Sequence, residues 1–193
     1  KSPDIIDLQD SKFETTLLVW AVGMEKYNAA KTLLECGANP NIVSKYVGGT
    51  ALYLASGFSW VDASAKKDAE FVKLLLQYGA DVNVGFVGND HNNSTEIGTT
   101  PLMESIGCGI EKTKALVDGG ANINFKLPNS KKTAAIKALS IVTSTTLEEQ
   151  MEYAHFLIVE KKANITDSYY ISNSEKQPVN LLRNWIPELN SDG

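Results

Sequence analysis

The sequence predicts an all-α chain, a solenoid of stacked helix-turn-helix repeats with extended finger loops. Three observations carry that prediction. A helical phrase ending in Gly-Ala-Asx-x-Asn recurs at "AAKTLLECGANPN", "FVKLLLQYGADVN" and "KTKALVDGGANIN". A Thr-led segment recurs upstream, as "TLLVWA", "TALYLA", "TPLMES" and "TAAIKA". No run approaches the roughly 18 consecutive apolar residues of a membrane-spanning helix, yet 43% of the 193 residues are apolar, enough for a packed chain.

Taken in order, residues 3–9 read as a short helical or extended cap over the first unit. Each Thr-led segment then reads as a short first helix. Thr16, Thr50, Thr100 and Thr133 are N-cap residues, and Pro101 sits where a helix tolerates proline, because its first N–H has no partner in the helix. The second helix of each unit shows the i, i+3, i+4, i+7 stripe that one buried face requires: Phe71, Leu74, Leu75 and Tyr78 in the second unit. Gly37, Gly79 and Gly120 stop these helices, at the place where a left-handed backbone conformation is needed and glycine adopts it without a Cβ clash. A fourth ending, "EYAHFLIVEKKANIT", carries Lys162 in the glycine place and Thr166 in that of the last Asn.

The spacing predicts individual features. Thr to terminal Gly (or Lys162) is 21 residues in unit one, 29 in unit two, 20 in unit three and 29 in unit four. Units two and four therefore carry about eight extra residues between their paired helices, which lengthen the helices or enlarge the turn. These additions are expected to project on one side as a paired ridge, because units in a one-dimensional stack share their faces. Between Asn83 and Thr100 lies a long finger, "VGFVGNDHNNSTEIG". This finger, polar and Asn-rich at its tip, is expected to be the most mobile part of the free chain and to order on binding. Beyond Thr166, "QPVNLLRNWIPELNSDG" offers a first helix with Leu181, Leu182 and Trp185 on one face, a partial fifth unit or a cap.

These segments resemble the ankyrin repeat, whose unit of about 33 residues opens on T-P-L-H-x-A. The resemblance implies one domain over residues 1–193, with repeats at about 14–46, 47–96, 97–129 and 130–167 and a partial fifth at 168–193. The signature histidine is replaced by Val19, Tyr53, Met103 and Ile136, apolar or aromatic residues suited to a buried position. The family's character implies a protein–protein interaction scaffold that holds a partner protein through its finger loops and concave helix face. An auxiliary or inhibitory subunit that stabilises or blocks an enzyme would use the same surface.

Composition excludes other classes. A net charge of −5 and a single arginine, Arg183, leave no basic footprint for nucleic acid. Cys36 and Cys108 have no metal-ligand spacing, and "GNDHNNSTE" lacks the sixth-place glycine and distal glutamate of a calcium loop, so no metal and no cofactor is expected. His91 and His155 have no nucleophile at recognisable spacing, and "ASGFSWV" lacks the glycines of a nucleophile elbow, so no catalytic residues are expected. The chain begins at Lys1 rather than Met, consistent with removal of a leader, which leaves the compartment open. It is read as a monomer.

The candidate partner-binding residues are Trp20, Leu54, Glu104 and Lys137, which follow the signature-histidine positions, a place that the resemblance implies looks into the concave groove. Tyr46 in the first finger, Phe86 in the long finger, and Phe58 and Trp60 in the second unit's insertion join them, because large rigid aromatic surfaces make strong contacts. Asp90, His91 and Asn92 at the tip of the long finger complete the set.

Overall fold

A computed structural model describes residues 3–57, 61, 68–89, 94–140 and 146–165. Its elements run α1 (Pro3–Ile6), α2 (Leu17–Gly23), α3 (Tyr27–Glu35), α4 (Ala51–Ser56), α5 (Glu70–Gln77), α6 (Pro101–Ser105), α7 (Ile110–Asp118), α8 (Ala134–Ser140) and α9 (Leu147–Ala154). Among the described residues there is no sheet, only two isolated antiparallel bridges, Gln9 with Thr16 and Ser44 with Gly49. The second unit's insertion, with Phe58 and Trp60, most of the connection before α9, the finger tip with Asp90, His91 and Asn92, and the segment from Thr166 onward lie outside the described residues. So do the expected paired ridge and the fifth unit.

Each first helix starts as its threonine dictates. The hydroxyl oxygens of Thr16, Thr50, Thr100 and Thr133 accept from the N–H groups of Val19, Tyr53, Met103 and Ile136 at 3.2–3.3 Å. The acceptor oxygen thus satisfies a donor that a helix start leaves unpaired. The four residues that replace the signature histidine, Val19, Tyr53, Met103 and Ile136, are all buried.

The second helices end in Schellman turns. The N–H groups of Ala38, Ala80 and Ala121 each reach back five residues, to the carbonyls of Leu33, Leu75 and Leu116, at 3.0 Å in every case. The intervening Gly37, Gly79 and Gly120 adopt φ of +94°, +82° and +91°. No atom lies within 4 Å of where a Cβ would stand at these three positions, so backbone conformation and not space selects glycine.

The fourth ending solves the same problem with one more residue. Ala163 N–H reaches back six residues, to Leu157 O at 2.8 Å, and α9 runs without a break into a π-helical stretch, His155–Glu160. A wider helical turn absorbs a single inserted residue while Phe156, Leu157 and Ile158 stay buried. Lys162 takes the positive φ, +53°. The eight extra residues of this unit therefore go partly into a longer second helix, eight residues of α9 plus six of π-helix against nine in α3. In the second unit α4 and α5 stay short, six and eight residues, so the extra length lies in their connection.

The helices form two layers. First helices α2, α4, α6 and α8 pack in sequence as the inner layer, and each packs on its own second helix; α5, α7 and α9 follow one another in the outer layer. Tyr27 of α3 meets Phe71 of α5 edge to face, ring centres 5.5 Å apart. One apolar core runs through the described units, from Leu18 and Val19 to Phe156 and Leu157.

The recurring Asx-x-Asn is a ladder between units. Asn41 Oδ1 accepts from Asp81 N–H at 2.7 Å, Asn83 Oδ1 from Asn122 N–H at 2.9 Å, and Asn124 Oδ1 from Asn164 N–H at 2.7 Å. Within units one to three the Asx carboxyl or amide oxygen accepts from the N–H of the closing Asn, two residues on, forming a local turn. At the head of the chain Asp7 takes the part of a preceding Asn, its Oδ1 accepting from Asn39 N–H at 2.9 Å.

Candidate partner-binding surface

Fingers project from the starts of the inner helices and are tied to one another. Tyr46 N–H donates to Phe13 O at 3.2 Å, joining the first finger to the N-terminal hairpin, and the buried hydroxyls of Thr15 and Ser44 meet at 2.6 Å. The two arms of the long finger pair through Phe86 N–H to Thr99 O at 2.8 Å and Gly98 N–H to Phe86 O at 2.7 Å. Val87 N–H donates to Gly48 O of the first finger at 2.7 Å, and the Asn89 amide donates to Tyr46 O and Val47 O at 3.1 Å. On the other side Glu96 Oε1 accepts from Asn129 and Ser130 N–H at 2.8 and 3.0 Å, reaching the third finger. Burial works to raise the Glu96 carboxyl, but the Ser130 hydroxyl and these N–H groups hold it below the usual carboxylate range. The base of the long finger is therefore fastened on both sides, which corrects the expectation of a mobile finger for that part.

Phe86 is also a correction. It is 2% exposed and stacks on Tyr53, with ring centres 5.7 Å apart, because the close approach of Gly48 leaves room for its ring to turn inward. It is core, not contact surface. Alternation along the arm then leaves Val87, and Ile97 on the returning arm, exposed.

The inner-helix row is partly exposed throughout. Trp20, Leu54, Glu104 and Lys137 are each half-buried, one per unit, just after the buried Val19, Tyr53, Met103 and Ile136. At one end Trp20 stacks on Tyr46, ring centres 6.3 Å apart, and Phe13 stands edge-on to both, at 5.6 and 5.0 Å. Trp20 Nε1 donates to Asp10 Oδ2 at 3.4 Å, and the Phe13 N–H on the same carboxylate holds Asp10 below its ordinary pKa. Leu54 continues the row without a polar partner.

At the other end the row turns polar. Tyr53 Oη donates to Glu104 Oε2 at 3.4 Å, and Lys137 Nζ stands 3.8 Å from the same oxygen. Burial first, then the neighbouring Glu104 carboxylate, push the Tyr53 hydroxyl well above its ordinary pKa, so it remains a donor. Between the long and third fingers a groove of about 260 Å³ opens over these residues, with Met103 and Leu127 among its walls and Glu96, Lys132 and Lys137 at its rim.

Behind the row, Lys112 of α7 is 8% exposed and its ammonium donates to Gly57 O, at the end of α4, at 2.8 Å. Burial pushes its pKa down. Gly57 is where the second unit's insertion departs, so Lys112 ties that departure to the third unit.

Sequence reasoning placed the row and missed Phe13, Lys112 and Lys132. Lys132 directly precedes the capping Thr133, and register against that Thr was the available signal. Lys112 is set by Gly57 of the preceding unit and Phe13 in part by Tyr46 of the first finger, pairings that no local pattern records. Among the described residues no three His, Cys, Asp or Glu side chains gather as a metal site, and no helix is long and apolar enough to cross a membrane. His155 is exposed, with Nδ1 3.2 Å from Glu160 Oε1.

Comparison with known proteins agrees with this geometry. The ankyrin-repeat family model matches residues 14–45 and 47–85. Protein PhlB of Serratia liquefaciens is 30% identical over 99 residues, 51% of this chain and 36% of that protein, so the chain spans about a third of that relative. Ankyrin repeats in general mediate protein–protein interaction. Residues 14–45 and 47–85 are thus ankyrin repeats, and the same Thr caps, left-handed endings and Asx ladder run on through the units that follow them.

Proposed function

We propose that this chain recognises a partner protein on the face formed by its fingers and inner helices, with Trp20, Leu54, Glu104 and Lys137 as the central row. The observation that carries this reading is the Phe13–Trp20–Tyr46 cluster at one end of the row. Three half-buried rings held edge-on and stacked give a rigid apolar contact with little side-chain entropy left to lose on binding. The rest of the row supplies one aliphatic contact at Leu54 and a charged pair at Glu104 and Lys137. Asp90, His91 and Asn92 of the finger tip and Phe58 and Trp60 of the second unit's insertion, which lie outside the described residues, belong to the proposed contact set on their sequence chemistry alone. The same reading takes residues 1–193 as one domain, in which the sequence of 168–193 is that of a partial fifth repeat or a cap.

The test is capture of a partner from the native proteome by the intact chain, identified by mass spectrometry and repeated with the Trp20→Ala/Tyr46→Ala variant. Recovery of a partner by the wild type and at least tenfold less by the variant, both folding alike by circular dichroism, supports the reading. Equal recovery by both moves the contact surface elsewhere.

A further inference from the structure

We infer that the open end of the array, the outer face of α2 and α3, is a stacking surface for one more helix pair of the same kind, carried by this protein ahead of residue 3. Residues 7–16 already form the finger that such a pair requires. Asp7 Oδ1 accepts from Asn39 N–H at 2.9 Å, the bond that Asn41, Asn83 and Asn124 each make to the unit that follows. Asp7 stands nine residues before the capping Thr16, as Asn41 does before Thr50 and Asn124 before Thr133. Asp10 N–H donates to Thr15 O at 3.1 Å and Glu14 N–H to Asp10 O at 3.0 Å, matching Ser44 N–H to Gly49 O and Gly48 N–H to Ser44 O in the next finger. Glu14 takes a left-handed φ of +47° where Gly48 takes +72°. Each later finger follows a helix pair, whereas among the described residues only the four of α1 stand near the start of this one.

The same positions in later units show what covers this face. Leu17, next to its capping Thr16, is 58% exposed, whereas Ala51 and Ala134, next to theirs, are each 1% exposed and lie in helices packed on the first helix of the unit before. Tyr27 is exposed, whereas Ala69, also ten residues ahead of its unit's terminal glycine, is buried. With Ile5, Leu8 and Met24 these make five of the eight large apolar side chains exposed among the described residues, all at the head of the array. Apolar surface of this kind is what each unit of a stack buries against its neighbour. The backbone edge is open as well. Ser11 N–H has no acceptor among the described residues, at the place from which Lys45 N–H donates to Glu14 O at 3.2 Å and Val87 N–H to Gly48 O at 2.7 Å. A second copy of the chain supplies apolar area but no helix pair joined to the finger of residues 7–16. That finger and the helices that precede it belong to one unit, so the occupant is continuous with it.

The first test isolates the protein from its native source and reads its intact mass and amino-terminal peptides by mass spectrometry. The expected result is about 20 or more residues ahead of Lys1, with a Thr-led first helix and an apolar second helix. The second test places a copy of residues 99–121, this chain's own third helix pair, directly ahead of Ile5 in place of residues 1–4. That extension should raise the melting temperature by at least about 5 °C. Leu17→Asp should leave the melting temperature of the unextended chain within about 2 °C and lower that of the extended chain by at least about 5 °C. A native protein without such a pair, an extension that adds no stability, or equal effects of Leu17→Asp in both chains would each overturn the inference. So would concentration-dependent self-association of the unextended chain that Leu17→Asp abolishes, since a second copy would then be what covers the face.

Discussion

At the scale of single residues, the repeat endings behave as small, separable experiments. Lys162 holds a left-handed backbone that Gly37, Gly79 and Gly120 adopt without a Cβ penalty. Lys162→Gly is therefore expected to raise unfolding free energy by about 1 kcal/mol, and Gly79→Ala to lower it by about 1–2 kcal/mol, both from denaturant midpoints. A loss of stability in Lys162→Gly would mean that the lysine side chain contributes more than its backbone costs. Asn83 tests the ladder. Removing its amide in Asn83→Ala leaves Asn122 N–H without that acceptor, and a drop of about 1 kcal/mol is expected, modest because water reaches the site.

At the scale of elements, what the sequence made legible follows local chemistry. The four Thr caps and the three Gly endings depend on neighbours within five residues, and each stands where the sequence placed it. What it did not make legible depends on distance or on a slip of one residue. The π-helical ending of the fourth unit was hidden because one inserted residue leaves the run Phe156, Leu157, Ile158 apolar in either register. Phe86 read as a contact residue because its burial is decided by Tyr53 and Gly48, dozens of positions away. The ladder was visible as repetition, but its pairing of Asn41 with Asp81 was not. Of the candidate row, positions were legible from register, whereas the pairing of Glu104 with both Tyr53 and Lys137 was not.

The long finger yields an element-scale prediction. Its base is held by the Phe86–Thr99 pair, the Val87 bond to Gly48 and the Glu96 bonds to the third finger, except that the Asn89 bonds adjoin the tip. Replacing residues 90–95 with a short Gly-Ser link should leave the melting temperature within a few degrees. Affinity for the captured partner should fall at least tenfold, about 1.4 kcal/mol. An unchanged affinity would reduce the finger tip to a tolerated insertion.

At the scale of the whole molecule, the centre of the array carries groups whose ionisation opposes folding at high pH. Burial, then the Glu104 carboxylate, push the Cys108 thiol up to about 11, and burial pushes the Tyr153 hydroxyl up to about 12, its oxygen accepting from Gly109 N–H at 2.8 Å. Both groups are raised in the folded chain, so the native state holds protons that the unfolded chain releases. Their contribution is complete below about pH 9 and is lost as pH climbs through 11 to 12. Lys112, lowered by burial, acts in the opposite sense, since its penalty fades as it deprotonates. The net expectation is falling stability above about pH 9, with Cys108→Ala losing on the order of 2 kcal/mol less between pH 8 and 11 than the wild type. Parallel curves for the two proteins would remove Cys108 from the account.

The same scale holds the central claim, that fingers and inner helices form one recognition face while the outer helices serve as its support. Hydrogen exchange of the chain alone and with its captured partner measures this directly. The account predicts added protection at the finger amides of Lys45, Asn89, Ser94 and Lys131 and along α2, α4, α6 and α8, with α3, α5 and α7 unchanged. Protection confined to α3, α5 and α7, with the fingers exchanging as in the free chain, would contradict it.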